Sequence, residues 1–247
     1  MKHVGTAVLL ATLFGAAASP GLAQDSETKN ILVFGDSLTW GWVPTSPVVP
    51  TTRHAPEDRW TAAMAETLGD DYSIVVEGLS ARTTNIDDPT DDILNGSEYL
   101  PAALMSHDPL DLVIIMLGTN DTKTYLDRTP LEIGLGAGEL INIVHESPWA
   151  FTENPAPRVL LISPPPLGDE IGVEAREAFD ETSKEKSAAL AEIYAKVADL
   201  AGEYSFAAGS VIETDGVDGI HFTAQSNRVL GEAVAAEVQS IFGGLTQ

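Results

Sequence analysis

Short runs of apolar residues recur along the chain and alternate with longer stretches of helical periodicity. Runs of this kind, bounded by Gly or polar turn residues, are typical of strands that are buried on both faces. The predicted strands are 30–34, 72–77, 112–117, 158–162 and, more weakly, 204–207. The predicted helices are 58–68, a short one near 99–106, 130–144, 174–200 and 223–242. This alternation predicts an α/β protein with a parallel sheet between layers of helices.

The first residues of the chain follow a different pattern. Lys2 precedes an apolar run over residues 8–18, and the small-residue sequence Gly21-Leu22-Ala23 comes shortly after it. This order is typical of a secretory signal peptide, and the apolar run is too short to span a bilayer. We therefore expect residues 1–23 to be a signal peptide and residues 24–247 to form a single domain. The mature protein is then secreted or periplasmic.

The charge of the chain excludes several kinds of partner. Its 37 acidic residues outnumber its 13 Lys and Arg residues, which gives a formal net charge of -24. Nucleic acids and anionic membranes repel such a polyanion, so we expect neither as a partner. Because the chain has no Cys, disulfides cannot stabilise it and thiols cannot take part in its chemistry.

Candidate catalytic residues follow the predicted strands. Ligands bind at the carboxyl ends of the strands in sheets of this type, and Ser37 follows the first strand there. A serine becomes a nucleophile when a base takes its proton and a third group fixes the tautomer of the base. Asp218 and His221, three residues apart before the last helix, can present a carboxylate and an imidazole side by side. Asn120, after the third strand, is a candidate oxyanion donor.

The same residues carry a resemblance to a known family. Three segments resemble blocks I, III and V of the GDSL/SGNH hydrolases, in the family's order: Phe34-Gly35-Asp36-Ser37-Leu38, Gly118-Thr119-Asn120-Asp121 and Asp218-Gly219-Ile220-His221. A fourth segment, Gly78-Leu79-Ser80-Ala81-Arg82-Thr83-Thr84-Asn85, is similar to the aryl esterase/acyltransferase (perhydrolase) branch of that family.

The resemblance implies a three-layer, flavodoxin-like α/β/α fold with a parallel five-stranded sheet. It implies Ser37 as nucleophile, His221 as base and Asp218 as the residue that orients the base. The implied oxyanion hole consists of the Ser37 N–H, the Ala81 N–H and the Asn120 side chain. The family usually has Gly where this chain has Ala81, but the backbone N–H survives that change.

The resemblance also implies the reaction. We expect a serine esterase that hydrolyses short-chain acyl esters, of the acetyl type with aryl or alkyl alcohols, through an acyl-enzyme. Acyltransferase and perhydrolase activity are expected beside hydrolysis, with no cofactor and no metal. The partners are then small-molecule esters and alcohols, together with further copies of the chain in a homo-oligomer whose subunits narrow the site entrance. A carbohydrate acetylesterase, lysophospholipase or thioesterase on the same fold remains the alternative.

Other functions and further site residues follow from particular segments. Leu38, Trp42 and Ile220 neighbour the catalytic residues and are candidates for an apolar substrate site, with core packing as the alternative. The acidic stretch 87–92 lacks the Gly that a calcium loop requires, which favours an acidic surface loop. The glycines of 134–138 lack dinucleotide-binding spacing and indicate close helix packing. The irregular segments 41–58 and 81–97 are candidate pocket walls or subunit contacts.

Overall fold

One parallel sheet organises the protein, and the computed structural model describes residues 28–147 and 154–244 of it. The predicted signal peptide lies outside the described residues. The strands are β1 (Lys29–Gly35), β2 (Tyr72–Gly78), β3 (Leu112–Met116), β4 (Arg158–Ser163) and β5 (Tyr204–Ala207). The helices are α1 (Ser37–Trp40), α2 (Trp60–Leu68), α3 (Gly96–His107), α4 (Pro130–Glu146), α5 (Glu181–Ala201) and α6 (Ala224–Gly244). The strand order is β2-β1-β3-β4-β5.

Both faces of the sheet are covered, which explains the continuous apolar runs of the central strands. Alternate residues such as Ile31 and Ile114 face α2 and α6, in a cluster that includes Trp60. The intervening residues, such as Leu32 and Val113, face α3, α4 and α5. All of β3 is buried, because this strand lies at the centre of the sheet. The predicted three-layer α/β/α fold with five parallel strands is confirmed.

Helix starts are the points at which the structure differs most from the predicted elements. The helix predicted from residue 174 begins instead at Glu181, because Asp180 caps it: the Asp180 side chain accepts the Ser183 N–H at 3.1 Å. The preceding Val173–Ala175 forms only a 3₁₀ turn. The short helix α3 begins three residues before the predicted position, at Gly96, with the Asn95 side chain as its cap.

Two predictions on loops and glycines have different outcomes. Gly134 of α4 lies against Ile193 of α5, where a Cβ would clash, so close helix packing is confirmed.

Within the acidic stretch, Asp88 is completely buried, although its neighbours are exposed. Its carboxylate accepts hydrogen bonds from Lys123 Nζ at 3.0 Å and the Tyr125 hydroxyl at 2.9 Å. An acidic surface loop is therefore wrong for this one residue, since a buried carboxylate requires partners.

The long segment 41–58 contributes to an apolar cluster near the carboxyl ends of the strands. Val48 from this segment packs with Ile171, Phe179 and Ile220 in a small apolar cluster, and Trp42 lies against the same cluster. This cluster is separate from the two clusters that cover the sheet. Among the helices that the structure describes, none combines the length and the apolar character that a bilayer crossing requires.

Candidate active site

Ser37 occupies the first turn after β1, which lies between β2 and β3 in the sheet. Asp36 directly follows the strand and caps α1, and its Oδ1 accepts the Leu38 N–H at 2.9 Å. Gly41 closes this one-turn helix in a left-handed conformation, with its N–H donating to the Ser37 carbonyl. The predicted nucleophile is thus held in a short, doubly capped turn at the carboxyl end of the sheet.

The three predicted catalytic side chains form one hydrogen-bonded chain. His221 Nε2 lies 2.9 Å from Ser37 Oγ, and His221 Nδ1 lies 2.8 Å from Asp218 Oδ2. All three residues are buried, with Ser37 6% and His221 5% exposed. Because the ionised carboxylate can only accept, Nδ1 carries the proton when the ring is neutral, and Nε2 is left to accept the serine proton.

The loop before α6 fixes the Asp218 carboxylate. Its Oδ1 accepts the backbone N–H groups of Ile220 at 3.0 Å and His221 at 2.9 Å. Burial favours the neutral acid, but the bonds and charge of His221 and the Ile220 N–H outweigh it, so the pKa of Asp218 falls below its usual value. The carboxylate stays ionised and presents a fixed acceptor to the imidazole.

The three predicted substrate-binding residues lie in two different environments. The Trp42 indole stacks on the His221 imidazole, with ring centroids 5.0 Å apart and an interplanar angle of 10°. Ile220 belongs to the small apolar cluster beside the site, which Trp42 also contacts. Leu38 is 3% exposed and packs in the core cluster on the α2/α6 face. Ile220 therefore lies within the loop that carries Asp218 and His221, and Trp42 lies against it, whereas Leu38 lies in the main core.

The predicted oxyanion donors follow three neighbouring strands. The Asn120 Nδ2 lies 3.2 Å from the Arg82 carbonyl and 3.3 Å from Asp36 Oδ2. Ala81 has a φ of 69°, in the left-handed region that favours Gly. This conformation suits the Gly that the family resemblance implies at this position. Ala81 directly precedes Arg82, whose carbonyl contacts Asn120.

Two buried charged residues of the site carry no role in the sequence-based prediction. Burial is the largest influence on the Asp36 carboxyl and raises its pKa to about 7, although the Leu38 N–H and the charges of Arg82 and Lys123 oppose the rise. The Arg82 guanidinium donates to the Gly35 carbonyl at 3.0 Å and lies 4.1 Å from the centroid of the Phe34 ring. Both residues lie within the motifs that carry the family resemblance, but burial and contacts across strands leave no signal in one sequence.

A second buried carboxylate, that of Asp121, holds the loop after β2. Asp121 accepts the Thr84 N–H at 3.0 Å through Oδ2, and its Oδ1 accepts the Thr84 hydroxyl at 2.5 Å and Arg128 at 2.7 Å. Burial raises the pKa of Asp121, while these bonds and the Arg128 charge oppose the rise. The loop after β2 is therefore tied to the loop after β3 at Asn120, through the Arg82 carbonyl, and at Asp121, through Thr84.

Comparisons with known proteins agree with this architecture. The fold is that of the SGNH hydrolases, which are α/β esterases. The model of the GDSL-like Lipase/Acylhydrolase family matches residues 33–229, so the chain belongs to that family and is an esterase/acylhydrolase. A search of curated protein sequences finds no match.

Several of the solved structures that are similar to this chain are esterases by name. The chain is 55% identical to the native M. smegmatis aryl esterase, with a TM-score of 0.84 over 86% of this chain and 99% of that one. It is 52% identical to Est24, a carbohydrate acetylesterase from Sinorhizobium meliloti, with a TM-score of 0.85 over 87% and 100% of the two chains. A carbohydrate acetylesterase family member from the same organism is 38% identical, with a TM-score of 0.81 over 87% and 100%.

Proposed function

We propose that this protein is a serine esterase that removes short acyl groups through a Ser37 acyl-enzyme, with acyl transfer to alcohols as a second outcome. The observation that carries the proposal is the hydrogen-bonded chain from Ser37 through His221 to Asp218, at the same edge of the sheet as Asn120. Such a chain is the requirement for activating a serine hydroxyl.

The first half of the reaction forms the acyl-enzyme. Ser37 Oγ attacks the acyl carbonyl carbon while His221 Nε2 takes the hydroxyl proton, and the carbonyl π electrons move onto oxygen. Asp218 stabilises the imidazolium that results. The oxyanion is stabilised by the Asn120 amide together with the backbone N–H groups of Ser37 and Ala81. When the carbonyl re-forms, the alcohol leaves with the proton from His221.

The second half of the reaction decides between hydrolysis and transfer. Water or an alcohol gives a proton to His221 and attacks the acyl carbonyl carbon, whose π electrons move onto oxygen. When the carbonyl re-forms, the ester bond to Ser37 Oγ breaks and His221 returns the proton to that oxygen. The apolar side chains of Trp42 and Ile220 favour an alcohol with an aryl or alkyl group over water at this step. Hydrogen peroxide, which is small and nucleophilic, would give a peracid by the same route.

The preference for short acyl groups rests on the similarity to the aryl esterase branch, and the preference for uncharged ones rests on the surroundings of the triad. Trp42 covers one face of the imidazole, and the cluster around Ile220 adds apolar surface next to it. Lys123 is bonded to Asp88, so its charge is neutralised before it can attract an anionic substrate. These contacts favour neutral esters.

An acetylated carbohydrate is the second candidate substrate. Its support is the 52% identity to the Sinorhizobium meliloti carbohydrate acetylesterase, over all of that chain. A polar sugar would place its acetyl group in the same catalytic site and its ring outside the apolar cluster. A lysophospholipid or a thioester is a weaker alternative on the same fold, because neither appears in the names of these similar structures.

The test combines a substrate panel with a transfer assay. Rates with p-nitrophenyl esters of rising chain length and with acetylated sugars identify the preferred acyl and alcohol groups. An activated acetate ester supplied with benzyl alcohol in buffer should give benzyl acetate together with acetate. If acetate is the only early product at every alcohol concentration, the transferase part of the proposal is wrong. Activity that survives Ser37→Ala would contradict the whole proposal.

Export and assembly complete the proposal. We expect cleavage after Ala23 and a secreted or periplasmic product, which mass spectrometry of exported protein tests. We also expect a homo-oligomer, in which the segments 41–58 and 81–97 supply contacts near the site entrance. A monomer throughout the micromolar range in light scattering would contradict the assembly.

A further inference from the structure

Asp36 contacts both the nucleophile turn and the predicted oxyanion amide. Its Oδ1 accepts the Leu38 N–H at 2.9 Å, which caps the turn that begins with Ser37. Its Oδ2 lies 3.3 Å from Asn120 Nδ2. The side chain is completely buried. One carboxyl group therefore links the loop after β1 to the loop after β3.

The second contact bears on the direction in which the Asn120 amide points. Nδ2 has two neighbours, Asp36 Oδ2 and the Arg82 carbonyl at 3.2 Å. The Arg82 carbonyl can only accept, so the amide NH2 group, and not its oxygen, has to face it. Above its pKa of about 7, the Asp36 carboxylate can also only accept and favours the same direction. The two distances, 3.2 and 3.3 Å, lie at the long end of the N–H···O range. An oxyanion can therefore share the hydrogen that faces the Arg82 carbonyl while the other hydrogen stays on Asp36. A flipped amide would present oxygen to the oxyanion and repel it.

We propose that Asp36 is a positioning residue for the oxyanion hole, because its Oδ2 holds the Asn120 amide with NH2 directed at the acyl oxygen. This inference deepens the proposed serine esterase function and rests on it. Asp36 does not touch the substrate; it acts through Asn120. The Leu38 cap uses the other oxygen, so the two roles of the carboxyl group can be separated by substitution.

Two substitutions separate those roles. Asn and Ser are both good N-cap residues and retain an acceptor for the Leu38 N–H. Asp36→Asn replaces Oδ2 by an NH2 group, which opposes the Asn120 NH2 and favours the flipped amide. Asp36→Ser removes the acceptor without adding an opposing donor at Asn120. The isosteric change should therefore damage catalysis more than the change that shortens the side chain.

The experiment measures kcat and KM on p-nitrophenyl acetate for the two Asp36 variants, alone and combined with Asn120→Ala. We expect Asp36→Asn to lower kcat by roughly 10²-fold, as removal of one oxyanion donor does, with KM nearly unchanged. Asp36→Ser should lower it less. In the Asn120→Ala background, either Asp36 substitution should lower kcat by no more than about threefold, since the residue through which Asp36 acts is gone. Asp180→Asn, which also replaces a capping Asp, is the matched control and should leave kcat unchanged.

Several results would overturn the inference. One is that Asp36→Asn lowers kcat by the same factor whether Asn120 is present or replaced by Ala. Another is that Asp36→Ser lowers kcat more than Asp36→Asn does. A third is that Asp36→Asn keeps the full wild-type kcat. If circular dichroism shows that Asp36→Asn is unfolded, the Asp36→Ser pair applies the same coupling criterion. Ser37→Ala separates a failure of the esterase mechanism from a failure of the positioning role of Asp36. Activity in that variant rejects the esterase mechanism, whereas its inactivity combined with uncoupled Asp36 variants rejects only the positioning role.

Discussion

The indole of Trp42 lies nearly parallel to the imidazole of His221, with ring centroids 5.0 Å apart. His221 is thus held at Nδ1 by Asp218, faces Ser37 through Nε2, and is covered on one side by an aromatic ring. An imidazole that is held at its edge and on one face has little freedom to turn away from the Ser37 hydroxyl.

The first prediction concerns this stacking contact. Trp42→Ala should lower kcat on p-nitrophenyl acetate by roughly tenfold, because small displacements of reacting groups are costly. Trp42→Phe keeps an aromatic face and should retain most of the activity. It also removes an indole N–H that is buried without a hydrogen-bond partner among the described residues, so the melting temperature should not fall. Equal kcat losses in the two variants would contradict a role for stacking.

Ala81 provides a test of the backbone at the predicted oxyanion hole. Its φ of 69° costs an L-residue about 1–2 kcal/mol, and Gly removes that cost while adding up to about 1 kcal/mol of unfolded-state entropy. Ala81→Gly should therefore leave the free energy of unfolding unchanged or raise it by up to about 1 kcal/mol. Because the N–H is preserved, kcat should be retained.

Ala65, inside α2, is the matched control for Ala81. Ala65→Gly should lower the free energy of unfolding by about 1 kcal/mol, because its backbone is helical. A similar loss of stability in Ala81→Gly would mean that the left-handed conformation is not the state of the folded protein.

The sequence is sufficient for predicting the layers and the residues that meet at the sheet edge. The central strands are recognisable because burial on both faces leaves continuous apolar runs such as Leu112–Met116. Ser37, Asp218 and His221 come together because parallel strands bring their carboxyl ends to one edge. The start of α5 is missed, since apolar periodicity continues through 174–180 while the cap at Asp180 decides where the helix begins.

Contacts between distant charged groups are the features that one sequence does not reveal. Asp88, placed in an acidic run, is predicted as a surface residue, yet it is buried with Lys123 and Tyr125. Arg82 likewise lies under the loop after β2 and not in solvent. In both cases the partner that makes burial tolerable comes from another segment of the chain, and only the folded arrangement identifies it.

The buried Asp36 carboxyl should make stability depend on pH. Its folded pKa of about 7 lies above the ordinary value of 3.8, so the folded protein holds this proton longer than the unfolded chain does. Stability from this group is then greatest at low pH and falls as pH rises, by about 1.4 kcal/mol per pH unit up to pH 7, and levels off above. In Asp36→Asn, an amide replaces this carboxyl group and stays uncharged at every pH.

Chemical denaturation of wild type and Asp36→Asn between pH 5 and 8 isolates that dependence. The free energy of unfolding of wild type, relative to the variant, should decline from pH 5 to 7 and then stay constant. Other titrating groups cancel in the difference. A difference that is flat across this range, or that rises with pH, would show that the Asp36 carboxyl is not raised in pKa.

The central claim is that Ser37 is the nucleophile, and covalent labelling with a fluorophosphonate tests it most directly. Mass spectrometry should find one probe per chain, on the peptide that contains Ser37, with activity lost in proportion to labelling. In His221→Ala, the rate at which the probe labels Ser37 should fall by about 10³-fold or more, since the base is missing. Ser163→Ala, at the end of β4, is the control and should label at the wild-type rate. A probe on another residue, or esterase activity retained in Ser37→Ala, would contradict the account.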